Sequence, residues 1–223
     1  MTCSLDDPRV SAVLDRLHAE ARGQRLRVMR HVAASITDKL FGRHPSLSLE
    51  VERLGRFHAS VSRRQGRFLY LVARSVRATR VVEFGTSVGI SAAYLACAVR
   101  DNGGGQVIGS EMNPDKLASA RRNLADAGLE GVVDVREGDA RQTLRQVGGQ
   151  VDMLFLDGFP DLYLPLLRML LPNLRPGAVV LADNILTHRT ILATYRRFVK
   201  DRSNGFCSET LLMKYGTEYS VRL

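Results

Sequence analysis

The chain of 223 residues contains no tryptophan, and aromatic residues make up only 6% of it. It has no run of about 18 apolar residues, the length that a membrane-spanning helix needs, so we expect no membrane association. Its first residues are polar and acidic, which argues against a signal peptide. The three cysteines, Cys3, Cys97 and Cys207, lack the spacing of a metal site. Scattered cysteines of this kind are typical of reduced thiols, so we expect a cytoplasmic protein.

The charge is distributed unevenly along the chain. The formal net charge is +9, and the whole excess lies in residues 1–80, because Lys and Arg balance Asp and Glu over residues 81–223. A basic N-terminal region could attract an anionic partner, or it could be an arginine-rich solvated surface. We do not expect nucleic-acid binding, because this region is poor in aromatic residues and carries no recognisable binding motif.

Hydrophobic spacing predicts helices first and a sheet afterwards. Apolar residues at helical spacing predict a helix over residues 8–40 with a break near Gly23, a weaker one over 47–58, and a third over Gly66–Arg77. Apolar strands then alternate with amphipathic helices, which indicates an α/β fold with a parallel sheet covered on both faces. The predicted strands are Thr79–Phe84, Gln106–Glu111, Val132–Glu137, Val151–Asp157, Ala178–Asp183, Phe206–Met213 and Glu218–Leu223, of which the last two form a hairpin.

A glycine-rich turn follows the first predicted strand. Glu83 lies near the end of that strand, Gly85 and Gly89 follow, and a helix starts near Ser91. Glycines allow a ligand to approach the backbone, and the start of a helix offers unpaired N–H groups. The spacing is not that of a dinucleotide fold, and an acid here would repel a phosphate and attract a cation. S-adenosylmethionine (SAM), which carries an ammonium and a sulfonium group, is such a ligand; another nucleotide is the alternative.

Two further acids follow neighbouring predicted strands. Glu111 ends the second strand, where a carboxylate is placed to accept both hydroxyls of a ribose. Asp139 follows the third strand and could meet an adenine amino group, or it could cap the next helix. The two roles of Asp139 are compatible.

Oxygen-bearing side chains also end two later strands. Asp157 ends one, and Asp183 followed by Asn184 ends the next. Ligands of open parallel sheets bind at the carboxyl ends of the strands, so these residues should share one crevice with Glu83 and Glu111. An all-oxygen set suits Mg²⁺ or Ca²⁺. Alternatively, the side chains cap the following helices or contact the sulfonium side of the cofactor.

At these residues the chain resembles the small class I SAM-dependent O-methyltransferases of the catechol and caffeoyl-CoA type. The resemblance covers about residues 60–223 and depends on six motifs in order, at Val61–Gly66, Val82–Ser91, Glu111–Pro114, Gly138–Ala140, Phe155–Pro165 and Leu181–Asn184. It implies a Rossmann-like, mostly parallel seven-stranded sheet with a C-terminal antiparallel hairpin and N-terminal lid helices. It also implies a lid and dimerisation region over residues 1–60, a SAM-binding core over 61–223, and a homodimer.

The resemblance also implies roles for individual residues. Residues at eight positions would bind SAM, namely Val61, Glu83, Gly85, Ser91, Glu111, Asp139, Ala140 and Asp157. Asp157, Asp183 and Asn184 occupy the metal-ligand positions. Phe159 would form an aromatic wall for the substrate ring, and Asn184 would also face the substrate.

One position departs from the family pattern. Catechol-type enzymes carry a basic lysine three residues after the first metal aspartate, where this chain has Pro160. His188 is a candidate base that would act with Asp157, and His18, Glu20 and His31 are further candidates.

Three hypotheses about function remain open. The first is a Mg²⁺-dependent O-methyltransferase for a small aromatic substrate with paired oxygens, which the Asp157, Asp183 and Asn184 set favours. The second is a metal-independent C- or N-methyltransferase of secondary metabolism, acting for example on an indole-like ring, which Pro160 favours. The third is a SAM-binding protein with little catalysis, or an RNA methyltransferase recruited by the basic region.

Overall fold

The computed structural model describes residues 3–23 and 61–223, and in them a single seven-stranded sheet lies between helices. The helices are α1 (residues 8–23), α2 (Arg63–Ser75), α3 (Ile90–Asp101), α4 (Pro114–Asp126), α5 (Ala140–Thr143), α6 (Tyr163–Leu170) and α7 (Ala193–Lys200). The strands are β1 (Arg80–Phe84), β2 (Gln106–Glu111), β3 (Val133–Glu137), β4 (Val151–Leu156), β5 (Leu174–Ala182), β6 (Phe206–Leu211) and β7 (Thr217–Arg222). Short 3-10 turns connect several of these elements.

The strand order is β3-β2-β1-β4-β5-β7-β6. Strands β1 to β5 pair in parallel, and β7 pairs antiparallel with both β5 and β6. The predicted fold class, a mostly parallel sheet with a C-terminal antiparallel hairpin, is therefore confirmed.

The boundaries of two elements differ from the predicted ones for local reasons. Helix α2 begins at Arg63 instead of Gly66, because Ser62 and Gln65 form a reciprocal capping box. Strand β5 begins at Leu174, four residues before the predicted start, with a register shift against β4. The predicted helices over 25–40 and 47–58 and the candidate His31 lie outside the described residues.

The core consists of two hydrophobic layers, one on each face of the sheet. Along β4, Met153 and Phe155 pack into the layer beneath α2 and α3, and Leu154 and Leu156 pack into the layer beneath α6 and α7. Successive strand residues point to opposite faces, so a strand buried on both faces is apolar throughout. This is why β4 reads as a continuous hydrophobic run.

Helix α1 packs on α2 and α3, the helices that cover one of the two hydrophobic layers. Asp15 pairs with Arg63 of α2 at 2.7 Å, and His18 bonds to the Tyr94 hydroxyl of α3 at 3.1 Å. Four apolar side chains of α1, Val10, Val13, Leu14 and Leu17, are buried in this layer, as their helical spacing predicted. Among residues 3–23 and 61–223, no helix has the length and apolar character needed to cross a membrane.

Candidate active site

An open cavity of about 450 Å³ lies at the carboxyl ends of the parallel strands. It is lined by the turn after β1, the end of β2, the start of α5, the loop after β4 and the segment after β5. This is the edge where ligands of open α/β sheets bind, and the volume falls within the usual range for small-molecule sites. Nine of the predicted site residues, from different parts of the chain, line it, namely Val61, Gly85, Ser91, Glu111, Ala140, Asp157, Phe159, Asn184 and His188.

The turn after β1 is packed against the loop after β4. Gly85 has a φ of 97°, and a Cβ on it would lie 2.8 Å from the carbonyl carbon and oxygen of Asp157. The amide groups of Gly85 and Thr86 both donate to the carbonyl of Ser110, at 3.3 and 3.2 Å. Glycine is therefore required at position 85 for two reasons, its positive φ and the close approach of two backbones.

We expect the substitution Gly85→Ala to lower the free energy of unfolding by about 3 kcal/mol or more, because it combines a strained backbone with a backbone clash. The matched control is Gly104→Ala. Gly104 has a similar φ of 107° but no atom within 4 Å of an added Cβ, so that variant should lose only about 1–2 kcal/mol. Urea unfolding of both variants measures the difference, and equal losses would show that the contact with Asp157 is unimportant.

Glu111 holds the glycine-rich turn from the end of β2. Its Oε2 accepts a hydrogen bond from the Ser87 amide at 2.8 Å, and its Oε1 accepts one from the Asn113 amide at 2.8 Å. Ser87 has a positive φ of 51°, which is uncommon for a residue with a side chain. The carboxylate thus orients the turn and at the same time forms part of the cavity wall.

Glu83 lies beneath the same turn and is fully buried, with 0% of its surface exposed. Neither of its carboxylate oxygens has a hydrogen-bond partner of good geometry in the part of the chain that the structure describes, and the same is true of the nearby Thr86 hydroxyl. Burial raises the pKa of Glu83, and the Ser91 and Thr86 hydroxyls oppose that rise. A buried acid in this state gains from a cationic group placed against it.

Asp139 has the capping role that the sequence allowed. Its Oδ1 accepts a hydrogen bond from the Arg141 amide at 2.8 Å, and it pairs with the Arg141 guanidinium at 2.6 Å. These hydrogen bonds lower the pKa of Asp139. Its neighbours Gly138 and Ala140 line the cavity, so the cap brings the start of α5 to the cavity wall. The predicted contact of Asp139 with adenine stays a prediction.

Two acids and an amide meet beneath the loop after β4. The Asn184 amide nitrogen donates to Asp157 Oδ1 at 2.7 Å, and Asn184 itself has a positive φ of 65°. Burial, and then the nearby charge of Asp183, raise the pKa of Asp157 well above its usual value. Asp157 and Asn184 line the cavity, as predicted for a shared crevice.

Asp183 is placed differently from the other two. It is 2% exposed, its Oδ2 accepts from Gln65 at 2.8 Å, and its Oδ1 accepts from Thr217 at 3.0 Å. Burial raises the pKa of Asp183, and the Thr217 hydrogen bond opposes that rise. Asp183 therefore lies behind the cavity wall, held between the first turn of α2 and the start of β7.

The donor set fits a hard divalent cation. Over residues 3–23 and 61–223, no three His, Cys, Asp or Glu side chains converge as a metal site. An ion between these strand ends would use the carboxylates of Asp157 and Asp183 with the amide oxygen of Asn184. Two neighbouring buried acids favour a cation at this point, and Mg²⁺ accepts such oxygen ligands.

The opening of the cavity carries the predicted substrate residues. Phe159 is 66% exposed, and Pro160 and His188 line the cavity with it. The His188 amide donates to the Asn184 carbonyl at 3.1 Å. This hydrogen bond closes a local turn after β5 and so fixes the backbone of the histidine. Val61 also lines the cavity.

The other candidate bases on α1 lie elsewhere. His18 is buried against Tyr94, and Glu20 pairs with Arg16 at 3.8 Å on the helix surface. Neither residue lines the cavity.

Sequence reasoning assigned no role to several residues that shape the site. Ser87, Met112 and Lys116 line the cavity, and Gln65 and Thr217 bind Asp183. Ser87 and Met112 are neighbours of recognised motif residues, so their positions could have been found. The role of Thr217 depends on how the hairpin docks, for which no local signal exists.

The chain is similar to known methyltransferases. Residues 82–185 match the profile of a family described as a methyltransferase domain. The chain is 35% identical over 137 residues to catechol O-methyltransferase of Niastella koreensis, covering 60% of this chain and 61% of that enzyme. It is 32% identical over 133 residues to catechol O-methyltransferase of Sus scrofa, covering 56% of this chain and 70% of that enzyme. The chain spans about three fifths of the length of several of these relatives, among them the catechol O-methyltransferases of Niastella koreensis, Mycobacterium tuberculosis and Bos taurus.

A solved structure agrees with these sequence relatives. The O-methyltransferase of Bacillus cereus, crystallised in complex with SAH, superimposes with a TM-score of 0.67 at 25% identity. The match covers 80% of this chain and 92% of that protein.

Proposed function

The chain belongs to the class I O-methyltransferases of the catechol and caffeoyl-CoA type, and on that basis we propose that it transfers the methyl group of SAM to a hydroxyl oxygen of a small aromatic molecule. The observation that carries the proposal is the meeting of Glu111, the Gly85 turn, Asp157 and Asn184 in one cavity at the carboxyl edge of the sheet. These elements follow β1, β2, β4 and β5, and each would supply one part of a methyl-transfer site.

The residues present fit SAM, which when bound supplies a methyl group on a positively charged sulfonium. The buried Glu83 carboxylate, which lacks a donor of good geometry within the described residues, lies beneath the turn where the cationic methionine part would be held. Glu111, at the end of β2, would accept the ribose hydroxyls. The complete proposed set is Val61, Glu83, Gly85, Ser91, Glu111, Asp139, Ala140 and Asp157.

The residues present also fit Mg²⁺ or Ca²⁺, with Asp157, Asp183 and Asn184 as the ligands. A divalent ion, when bound, would lower the pKa of a substrate hydroxyl. Neighbouring side chains of this protein orient the proposed ligand carboxylates. Asn184 bonds to Asp157, and Gln65 and Thr217 fix the Asp183 carboxylate.

Side chains at the opening of the cavity would bind the substrate ring and accept its hydroxyl proton. Phe159 presents an exposed aromatic face against which a substrate ring would stack. His188 would accept the hydroxyl proton, because Pro160, which occupies the position of the family's lysine, cannot. Alignment of the substrate oxygen behind the methyl group, with water excluded, would supply much of the lowering of the barrier.

A second candidate function follows from Pro160. A chain without the basic lysine could instead methylate a carbon or nitrogen nucleophile, for example on an indole-like ring, without a metal ion. In that case Asp157 and Asp183 would position the organic ligands.

The test is methyl transfer from labelled SAM to a panel of catechols, phenols and indoles, with added Mg²⁺ and separately with EDTA. We expect transfer to catechols that EDTA abolishes. Transfer that survives EDTA on a ring without paired oxygens would support the second function, and absence of transfer to the whole panel would contradict both.

We also propose a cytoplasmic location and a homodimer. The three cysteines form no disulfide, which suits a reducing cytoplasm. By family resemblance, residues 1–60 would form the lid over the substrate and the dimer contacts. Light scattering in solution measures whether a homodimer forms.

A further inference from the structure

Gln65, in the first turn of α2, is bound at both ends of its side-chain amide. The amide oxygen accepts hydrogen bonds from the Ser62 backbone amide at 3.0 Å and from the Ser62 hydroxyl at 3.2 Å. The amide nitrogen donates to Asp183 Oδ2 at 2.8 Å, across 118 residues of the chain. Gln65 is 4% exposed, so these bonds form away from solvent. A single buried side chain therefore joins the start of α2 to a proposed metal ligand.

Packing against α3 fixes the place from which Gln65 reaches Asp183. The next residue, Gly66, lies against the ring of Tyr94 on α3, and a Cβ at position 66 would overlap that ring. Tyr94 is buried and is itself hydrogen-bonded to His18 of α1 at 3.1 Å. Close-packed interiors of this kind resist displacement. The first turn of α2 is therefore a firm support for the Gln65 amide.

The Asp183 carboxylate is held from two sides. Gln65 binds its Oδ2, and the hydroxyl of Thr217, at the start of β7, binds its Oδ1 at 3.0 Å. The three side chains border a space of about 10 Å³, close to the smallest volume that one water molecule needs, so water has little room to replace either donor. A carboxylate has about four acceptor sites, so two hydrogen bonds leave capacity on both oxygens for an ion.

We propose that Gln65 is the positioning residue of the metal site, which sets the orientation of the Asp183 carboxylate from the capping box of α2. The inference rests on the metal-ligand set of the proposed function. Capping alone does not require glutamine at position 65, because glutamate completes a capping box equally well. A glutamate carboxylate, however, has no N–H group to donate to Asp183. The amide of Gln65 supplies both the acceptor for the cap and the donor for the ligand.

The test is binding of Mn²⁺ to the full chain without substrate, measured by electron paramagnetic resonance. Gln65→Met keeps the length of the side chain but removes its donor. Residues that hydrogen-bond to metal ligands typically contribute about 10- to 100-fold to metal affinity, so we expect this variant to bind Mn²⁺ at least about tenfold more weakly than the unchanged protein. Thr217→Val, which removes the donor to the other oxygen of Asp183, should also weaken Mn²⁺ binding.

The matched control is Ser62→Ala. It removes the hydroxyl of the capping box, whereas the Ser62 backbone amide can still bind Gln65, and the bond from Gln65 to Asp183 stays. We expect Ser62→Ala to lower the melting temperature, because the cap is weakened, and to leave the Mn²⁺ affinity unchanged. Calorimetric titration with SAM should give the same affinity for Ser62→Ala and Gln65→Met, because only Mn²⁺ binding depends on the orientation of Asp183.

Three outcomes would overturn the inference. They are an unchanged Mn²⁺ affinity in Gln65→Met, an equal loss of affinity in Ser62→Ala, and no Mn²⁺ binding by the unchanged protein. The third would also contradict the metal-ligand set of the proposed function, whereas the first two would leave that set in place. Thermal unfolding checks that each variant is folded. Methyl transfer in the substrate panel is measured separately, so failure of the proposed function is distinguishable from failure of the inference.

Discussion

Replacing Glu111 with alanine is expected to weaken SAM binding about 100-fold while leaving the fold intact. The carboxylate accepts two backbone hydrogen bonds that orient the glycine-rich turn, from Ser87 and Asn113 at 2.8 Å each, and it is the proposed acceptor of the ribose hydroxyls. Hydrogen bonds to a charged group contribute about 1.5–3 kcal/mol each, and a loss of about 2.7 kcal/mol corresponds to 100-fold in affinity. Calorimetric titration with SAM measures the change.

A graded variant and a control sharpen this prediction. Glu111→Gln keeps one acceptor oxygen, so its loss should be intermediate, about tenfold. Glu137→Ala removes an exposed acid at the end of the neighbouring strand, directly opposite Glu111 in register, and should not alter SAM affinity. Normal SAM affinity in Glu111→Ala would refute the ribose assignment.

Replacing Asp157 with asparagine should have opposite effects on activity and stability. We expect turnover to fall about 1,000-fold or more, because the site loses a proposed metal ligand and cofactor contact at its centre. We also expect the melting temperature without metal to rise by about 3 °C, because one of two neighbouring buried negative charges is removed. Asparagine keeps the Oδ1 that accepts from Asn184, so the local structure has little reason to change.

The control for Asp157 lies on the same loop. Asp161 is exposed, and Asp161→Asn should change neither turnover nor the melting temperature. Steady-state kinetics and thermal unfolding in EDTA measure the two effects. Unchanged turnover in Asp157→Asn would favour the metal-independent alternative, and a lower melting temperature would show that the carboxylate stabilises the fold.

The positions of the main-chain elements of the site were largely predictable. Apolar strands buried on both faces read as continuous hydrophobic runs, so β1, β2 and β4 were placed within a residue or two of their ends. Because the carboxyl ends of parallel strands meet at one edge, Glu111 and Asp157 could be assigned to one cavity from their places at the ends of predicted strands.

Individual side chains were harder to place, because their directions depend on contacts with residues far along the chain. Glu83 was expected in the open crevice, but it lies fully buried beneath the glycine turn. Asp183 was expected beside Asp157, and it is near enough to raise the pKa of Asp157. Its oxygens, however, are bound by Gln65, 118 residues before it, and by Thr217, 34 residues after it.

Local features of the chain specify the alternation of strands and helices, the glycine turn at Gly85 and the acids at the strand ends, because each depends on periodicity, backbone conformation or a neighbouring residue. Which groups surround Asp157 and Asp183, in contrast, depends on the tertiary structure. The antiparallel register of β7 against β5 brings Thr217 to Asp183. No local pattern encodes that register, since it results from packing between elements that are distant in the chain.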